Sequence, residues 1–180
     1  MNLRSITRLC LAASLALGIT GVAHGDTYAL TNSNGGDGYV VGSAPTFQLW
    51  GSDNGAPTNY AVYSTTVSSA ETVSFNWAYS TFDCCGSVWD PAGYVLNGVY
   101  HQLSTDSDTQ FQLDTTGILT LSLAAGDKFG FYVYSPDSIQ GRAELAVSPA
   151  SAATPEPGTL LLLGTGLLGF AGVARRKLMA

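Results

Sequence analysis

The chain reads as all-β, an antiparallel β-sandwich with the jelly roll as one form of it, and three observations lead there. Residues 71–80 alternate strictly, with Val73, Phe75, Trp77 and Tyr79 on one face and Thr72, Ser74, Asn76, Ala78 and Ser80 on the other; a period of two is the mark of a strand with one buried face. Asn97-Gly98 stands between two short apolar arms and supplies the positive φ angles of a type I′ hairpin turn. Between residues 26 and 150, strand-like runs recur between clusters of Gly, Asn, Asp and Ser, and no run has the period of an amphipathic helix. Many short strands of this kind build a sandwich.

In chain order, strands are expected at 46–50, 59–67, 71–80, 94–96, 99–103, 109–113, 118–123, 128–134 and 142–147. Each is rich in β-branched or aromatic residues. Gly51-Ser52-Asp53-Asn54-Gly55, Thr115-Thr116-Gly117 and Ala125-Gly126-Asp127 read as turns between them, because Gly, Asn and Asp tolerate the backbone angles that turns demand. The domain therefore spans 26–147, enough for one core but not two. Residues 148–153, rich in Ser, Ala and Pro, form a linker.

Both ends carry targeting features. Arg4 and Arg8 form a basic n-region, residues 9–19 an apolar core, and Ala23-His24-Gly25 a small-residue cleavage site; residues 1–25 are read as a signal peptide. Signal peptidase would cut after Gly25, with Ala23 as the alternative. At the other end Thr154-Pro155-Glu156-Pro157-Gly158 precedes an uncharged stretch, 159–174, and Arg175-Arg176-Lys177. That stretch would rise roughly 24 Å as a helix, against a hydrocarbon core of about 30 Å. A short single transmembrane helix is expected, its ends rescued by snorkelling cations and a thinned bilayer. Gly164, Gly166, Gly169 and Gly172 favour this over a buried soluble helix.

The ordered triad of Pro155-Glu156-Pro157, apolar segment and basic end with Arg175 and Arg176 resembles the PEP-CTERM sorting signal of Gram-negative bacteria that make exopolysaccharide. The resemblance implies that exosortase, a membrane peptidase, reads and removes residues 154–180. It also implies transient anchoring in the inner membrane with the domain in the periplasm, then release to the cell surface or extracellular space. The prolines keep the motif extended, outside the helix. The segments 72–77, 90–98 and 125–131, with Asp137 to Gly141, are similar to a globular domain found upstream of such tails, for which no catalytic motif is implied. The order of elements is similar to CUB-like sandwiches at the level of fold alone.

Charge narrows the partners. Between residues 26 and 150 two cations, Lys128 and Arg142, stand against twelve carboxylates, a net charge of −10, whereas the whole chain carries −6. Such a domain repels nucleic acid and anionic lipid and attracts divalent cations. With one histidine, His101, no nucleophile elbow and no phosphate loop, the expectation is a non-enzyme without an obligatory cofactor. Zinc is disfavoured by one histidine and two adjacent cysteines.

Three features remain as candidate sites. Cys84-Cys85, the two cysteines of the exported part, could close a vicinal disulfide in an oxidising compartment, strained because adjacent Cα atoms lie only about 3.8 Å apart; a pair that merely shapes a turn is the alternative. The surrounding loop offers Asp83, Trp89, Asp90 and Tyr94 as ligand or glycan contacts. Calcium, a hard cation, has candidate oxygen ligands in the loop residues Asp53, Asp127 and Asp137, with Asp83 and Asp90 beside them. Trp50, Trp89 and Tyr94 could stack on sugars if exposed, although the small number of large aliphatics predicts their burial. The functional expectation is a noncatalytic surface or matrix protein associated with exopolysaccharide in a biofilm. A carbohydrate-binding module, calcium-dependent or not, is the alternative.

Overall fold

The computed structural model describes residues 26–107 and 113–150. The signal peptide, most of the strand expected at 109–113, the end of the linker and the whole sorting tail with its apolar span lie outside them. No helix among the described residues is long and apolar enough to cross a membrane.

Ten strands form among the described residues: β1 (Ala29–Asn32), β2 (Tyr39–Ser43), β3 (Thr46–Trp50), β4 (Asn59–Thr66), β5 (Glu71–Thr81), β6 (Ala92–Leu96), β7 (Val99–Gln102), β8 (Leu113–Leu123), β9 (Lys128–Ser135) and β10 (Ala143–Pro149). They pair antiparallel as two five-stranded sheets, β1-β4-β9-β6-β7 and β2-β3-β10-β5-β8. Strands β3 to β10 follow the winding of a jelly roll, crossing between the sheets at every connection except the β6–β7 hairpin, and β1 and β2 extend one edge of each.

The alternation in β5 emerges as read: Val73, Phe75 and Tyr79 are buried and Trp77 is partly so. Phe129 and Phe131 of β9 meet Phe75 across the gap, and Phe131 also meets Phe47 edge-on at 5.7 Å. Leu49, Leu145 and Val133 complete the fully buried centre. Truncating a buried phenylalanine such as Phe131 to alanine costs about 3–5 kcal/mol. Gly130, between the two phenylalanines, faces β4 so closely that a Cβ would lie 2.6 Å from Tyr63 O.

The hairpin between β6 and β7 also forms as expected, with φ of 51° at Asn97 and 83° at Gly98. Asn97 further accepts from Lys128 N at 2.9 Å and donates to Asp127 Oδ1 at 2.9 Å, tying the hairpin to the β8–β9 turn.

Two expectations need correction. Thr115-Thr116-Gly117 is not a turn but lies inside β8, where Gly117 stands opposite Trp77. A Cβ there would come within 2.7 Å of the indole, so the glycine accommodates a ring rather than bending the chain. The strand count was also short, because β1 and β2 are largely exposed edge strands.

Candidate functional site

The winding gathers five connections at one end: 33–38 after β1, 51–58 after β3, 82–91 after β5, residues 103–107 after β7, and 136–142 after β9. The last of these is the hub. Ser138 O accepts from Gly55 N at 2.7 Å, Pro136 O from Thr58 N at 2.7 Å and Gln140 O from Cys84 N at 3.2 Å. Gly141, at φ 135°, lies where a Cβ would meet Phe82 O at 2.2 Å, so only glycine lets the hub press against the 82–91 loop.

This end is acidic: Asp37, Asp53, Asp83, Asp90, Asp106 and Asp137 all lie in its connections. Arg142 is the described cation that reaches it, and it is paired with Asp37. Lys128 begins β9 at the opposite end, about 23 Å from Ser135 along an extended strand.

Asp90 is the deepest of the carboxylates, with 1% of its surface exposed. The Tyr79 hydroxyl donates to its carbonyl at 2.8 Å and Ser135 Oγ to its Oδ1 at 2.6 Å. Among the described residues its Oδ2 has no hydrogen-bond partner, and neither does Oγ of Ser138, which is wholly buried. Burial pushes the Asp90 carboxyl up to about 8; the Ser135 bond opposes the rise, and the charges of Asp83, Asp137 and Asp53 add to it. Asp83, also buried, accepts from Cys85 N at 2.6 Å. Its carboxyl is likewise raised, chiefly by burial and then by Asp137 and Asp53.

The cysteines stand beside these groups as free thiols, their sulfurs 2.8 Å apart. With one Asp83 oxygen they form a set of three ligand atoms mutually within 4.8 Å. The Cys84 thiol is hydrogen-bonded to Gln140 Oε1 and pushed up to about 11, first by its bond with Cys85.

The sequence-derived site residues therefore separate. Asp53, Asp83, Asp90 and Asp137 gather at the loop end with Cys84, Cys85 and Trp89. Asp127 does not: it lies at the opposite end, held by Asn97 and by Ala124 N at 2.8 Å. Asp83 and Asp90 are buried beneath any surface that a glycan would touch. Tyr94 is half-buried and stacks on His101 with centroids 4.6 Å apart, which accounts for the histidine as a cross-strand packing partner. Trp89, expected to be buried, is 42% exposed. Trp50 is half-buried and stacked between Tyr39 and Phe82, with interplanar angles of 9° and 17°, so its faces are engaged within the column. Ser135 and Ser138 carry no sequence signal that separates them from other loop serines.

A second feature lies on the outer face of the β2-β3-β10-β5-β8 sheet. The cross-strand row Val41, Gln48, Ala146, Ala78, Thr116 has small residues at its centre. The resulting trough, rimmed by Val41 and by Ile118, which is 68% exposed, has a volume of about 730 Å³.

Comparison with known proteins adds the following. Residues 153–177 match the PEP-CTERM protein-sorting motif, in agreement with the resemblance of the tail. None of the curated proteins compared with the chain matches it. Among solved structures, a family 35 carbohydrate binding module from an environmental isolate is 19% identical, with a TM-score of 0.30, over 75% of this chain and 96% of the module. A Podospora anserina GH26-CBM35 β-(1,4)-mannanase is 13% identical, with a TM-score of 0.32, over 73% of this chain and 29% of the enzyme. A β-glucosidase from Kluyveromyces marxianus in complex with glucose is 12% identical, with a TM-score of 0.30, over 56% of this chain and 11% of the enzyme. The chain thus spans less than a third of either enzyme, and likenesses this remote bear on neither ligand nor activity.

Proposed function

We propose that this chain is an exported, noncatalytic protein sorted by exosortase to the cell surface or extracellular matrix, where its jelly-roll domain associates with exopolysaccharide in a biofilm. The observation that carries the reading is the sorting motif at residues 153–177. In this reading signal peptidase releases the N-terminus and the apolar tail segment holds the domain at the inner membrane. Exosortase then removes the tail, leaving an acidic sandwich outside the cell. A noncatalytic role is supported by the placement of the groups capable of chemistry: His101 packs on Tyr94, Arg142 pairs with Asp37, and Lys128 lies at the far end.

The test is sorting itself. In an exosortase-bearing host, the wild-type chain is expected outside the cell with a mass lacking the tail. Pro155→Ala with Pro157→Ala is expected to leave the uncut chain in the membrane. Equal release of both proteins would overturn the reading.

A second reading, a carbohydrate-binding module, is favoured by Trp89, exposed at the acidic loop end, since an accessible indole face stacks on sugar rings. Retention of the protein on the host's exopolysaccharide, lost in Trp89→Ala, would select this reading. Retention unaffected by Trp89→Ala would remove it.

A further inference from the structure

We propose that the free edge of β8 is a self-association surface, where β8 of a second copy of this chain pairs with it antiparallel and joins the two five-stranded sheets into one of ten strands. The proposal stands apart from the sorting reading and rests on an edge that the fold leaves open.

β8 ends the order β2-β3-β10-β5-β8, and among the described residues β5 is its one strand partner. An edge strand turns alternate N–H and C=O groups outward, a template for a further strand, and natural edges are ordinarily short, bent or charged. The other three edges keep to this rule: β1 and β7 have four residues each, and β2 has five, with Gly42 at φ 87°. β8 has eleven, as many as the interior strand β5. Its one irregularity lies at its start, where the register passes from Tyr79 opposite Thr115 to Ser80 opposite Leu113. Thr115 to Leu123 run on from there in unbroken register, with neither a charge nor a proline among them. Hydroxyl contacts tie this stretch to β5, Thr120 to Ser74 at 2.9 Å and Ser122 to Thr72 at 3.4 Å.

Charge selects the partner. The domain carries a net charge of −10, so acidic surfaces of two copies repel one another. The 115–123 edge is neutral throughout and meets its own copy without that cost. Ile118 sets the register. It is 68% exposed, the most exposed large hydrophobic among the described residues, and two β-branched side chains directly opposite form a favourable cross-strand pair. With Ile118 on a two-fold axis, Thr116 faces Thr120 and Thr115 faces Leu121 of the second copy. Opposite residues share a face, so the outer faces of the two sheets run together. Asp114, the one charged residue of β8, comes opposite Ser122. Its counterpart is eight residues away, about 27 Å along the strand and well beyond the screening length of about 8 Å at physiological salt.

The full chain in detergent is followed by sedimentation over a concentration series. A monomer–dimer equilibrium with a midpoint of about 1–100 µM is expected, in keeping with the small area of a single strand pair. Ile118→Lys sets two cations face to face and is expected to weaken the dimer tenfold or more. Val99→Lys, at an equally exposed position on β7 at the edge of the other sheet, leaves it unchanged. Ile118→Cys is expected to yield, on oxidation, a dimer linked through the introduced thiols, because opposite residues of an antiparallel pair lie about 4.5–5.5 Å apart at Cα, within disulfide reach. A wild-type chain that stays monomeric at about 500 µM would overturn the proposal. So would a dimer that survives Ile118→Lys, as one held by the apolar tails would, or one weakened equally by Val99→Lys. Where the lysine variant fails to fold, the cross-link decides, and its absence overturns the proposal as well.

Discussion

Arg142, immediately before β10, grips Asp37, in the connection before β2, with Nη2 to Oδ2 at 2.5 Å and Nη1 to Oδ1 at 3.0 Å, while Nη1 also donates to Gly51 O at 2.7 Å. The guanidinium sits 5.5 Å from the Tyr39 ring centroid, capping the column of Tyr39, Trp50 and Phe82. One side chain thus ties the edge strand β2 to the centre of its sheet. Both partners keep some solvent contact, 23% and 40%, so the pair is worth less than a buried one.

Arg142→Met is expected to lower stability by about 1–2 kcal/mol. Arg142→Lys should recover less than half, because an ammonium cannot make the two-pronged contact. The Arg142 hydrogen bond holds the Asp37 carboxyl below the usual carboxylate range. A depressed carboxyl stabilises the fold above its unfolded value, about 3.9, and the contribution is lost as pH falls below that. The gap between acid melts of wild type and Arg142→Met should therefore narrow as pH falls below about 3.9, leaving the part that Gly51 and Tyr39 contribute. A constant gap down to pH 2 would show that the charge pair contributes nothing.

Asp90 makes the opposite contribution. Its carboxyl is raised to about 8 in the folded state, mostly by burial and further by Asp83, Asp137 and Asp53, against the Ser135 bond. In the unfolded chain it titrates near 3.9. Between these values the folded state binds the extra proton, so stability in chelator falls as pH rises from about 4 to 8 and levels off above. Asp90→Asn should flatten that slope while retaining a group for Ser135 to meet. Parallel pH profiles for the two proteins, read by chemical denaturation, would refute the assignment of the slope to Asp90.

Gly117→Ala tests the packing of Trp77. The added methyl would lie 2.7 Å from the indole, and the ring is packed against the core, so it has little room to retreat. A loss of about 1–3 kcal/mol is expected, with a red shift in tryptophan emission as the ring moves outward. An unchanged midpoint would mean that the indole swings aside freely.

That glycine also marks where the sequence is legible and where it is not. β5 declared itself because one face is buried along its whole length, leaving an uninterrupted period of two. β1 and β2 did not, because edge strands bury one face only in part, and the alternation that reveals a strand never develops. Thr115-Thr116-Gly117 looked like punctuation because the indole that explains it lies some forty residues away in sequence. At the loop end the aspartates could be picked out as oxygen-bearing loop residues. Their inequality could not: the burial of Asp90 and the orphaned oxygen of Ser138 arise only when the 82–91 and 136–142 connections come together. Asp127 resembled Asp137 in sequence, but the winding places them at opposite ends of β9.

The thiol pair offers a test that needs no ligand. Cys84 is raised to about 11, and the first cause is its hydrogen bond with the neighbouring Cys85 sulfur. Because the thiolate is the reactive form, alkylation of Cys84 at pH 8 should be more than tenfold slower than that of an ordinary thiol near 8.5. Cys85→Ala removes the bond and should restore most of the lost rate. If Cys84 reacts equally fast in both proteins, the Cys85 bond does not govern its reactivity. In the oxidising compartment expected for the exported chain, the same proximity favours closure into a vicinal disulfide. Closure would block alkylation and lower the intact mass by about 2 Da until reductant is added. Because Asp83 accepts from Cys85 N at 2.6 Å, any movement on closure reaches the carboxylate directly. The oxidised and reduced forms should then differ in melting temperature, whereas equal melting would show that closure leaves the Asp83 hydrogen bond undisturbed.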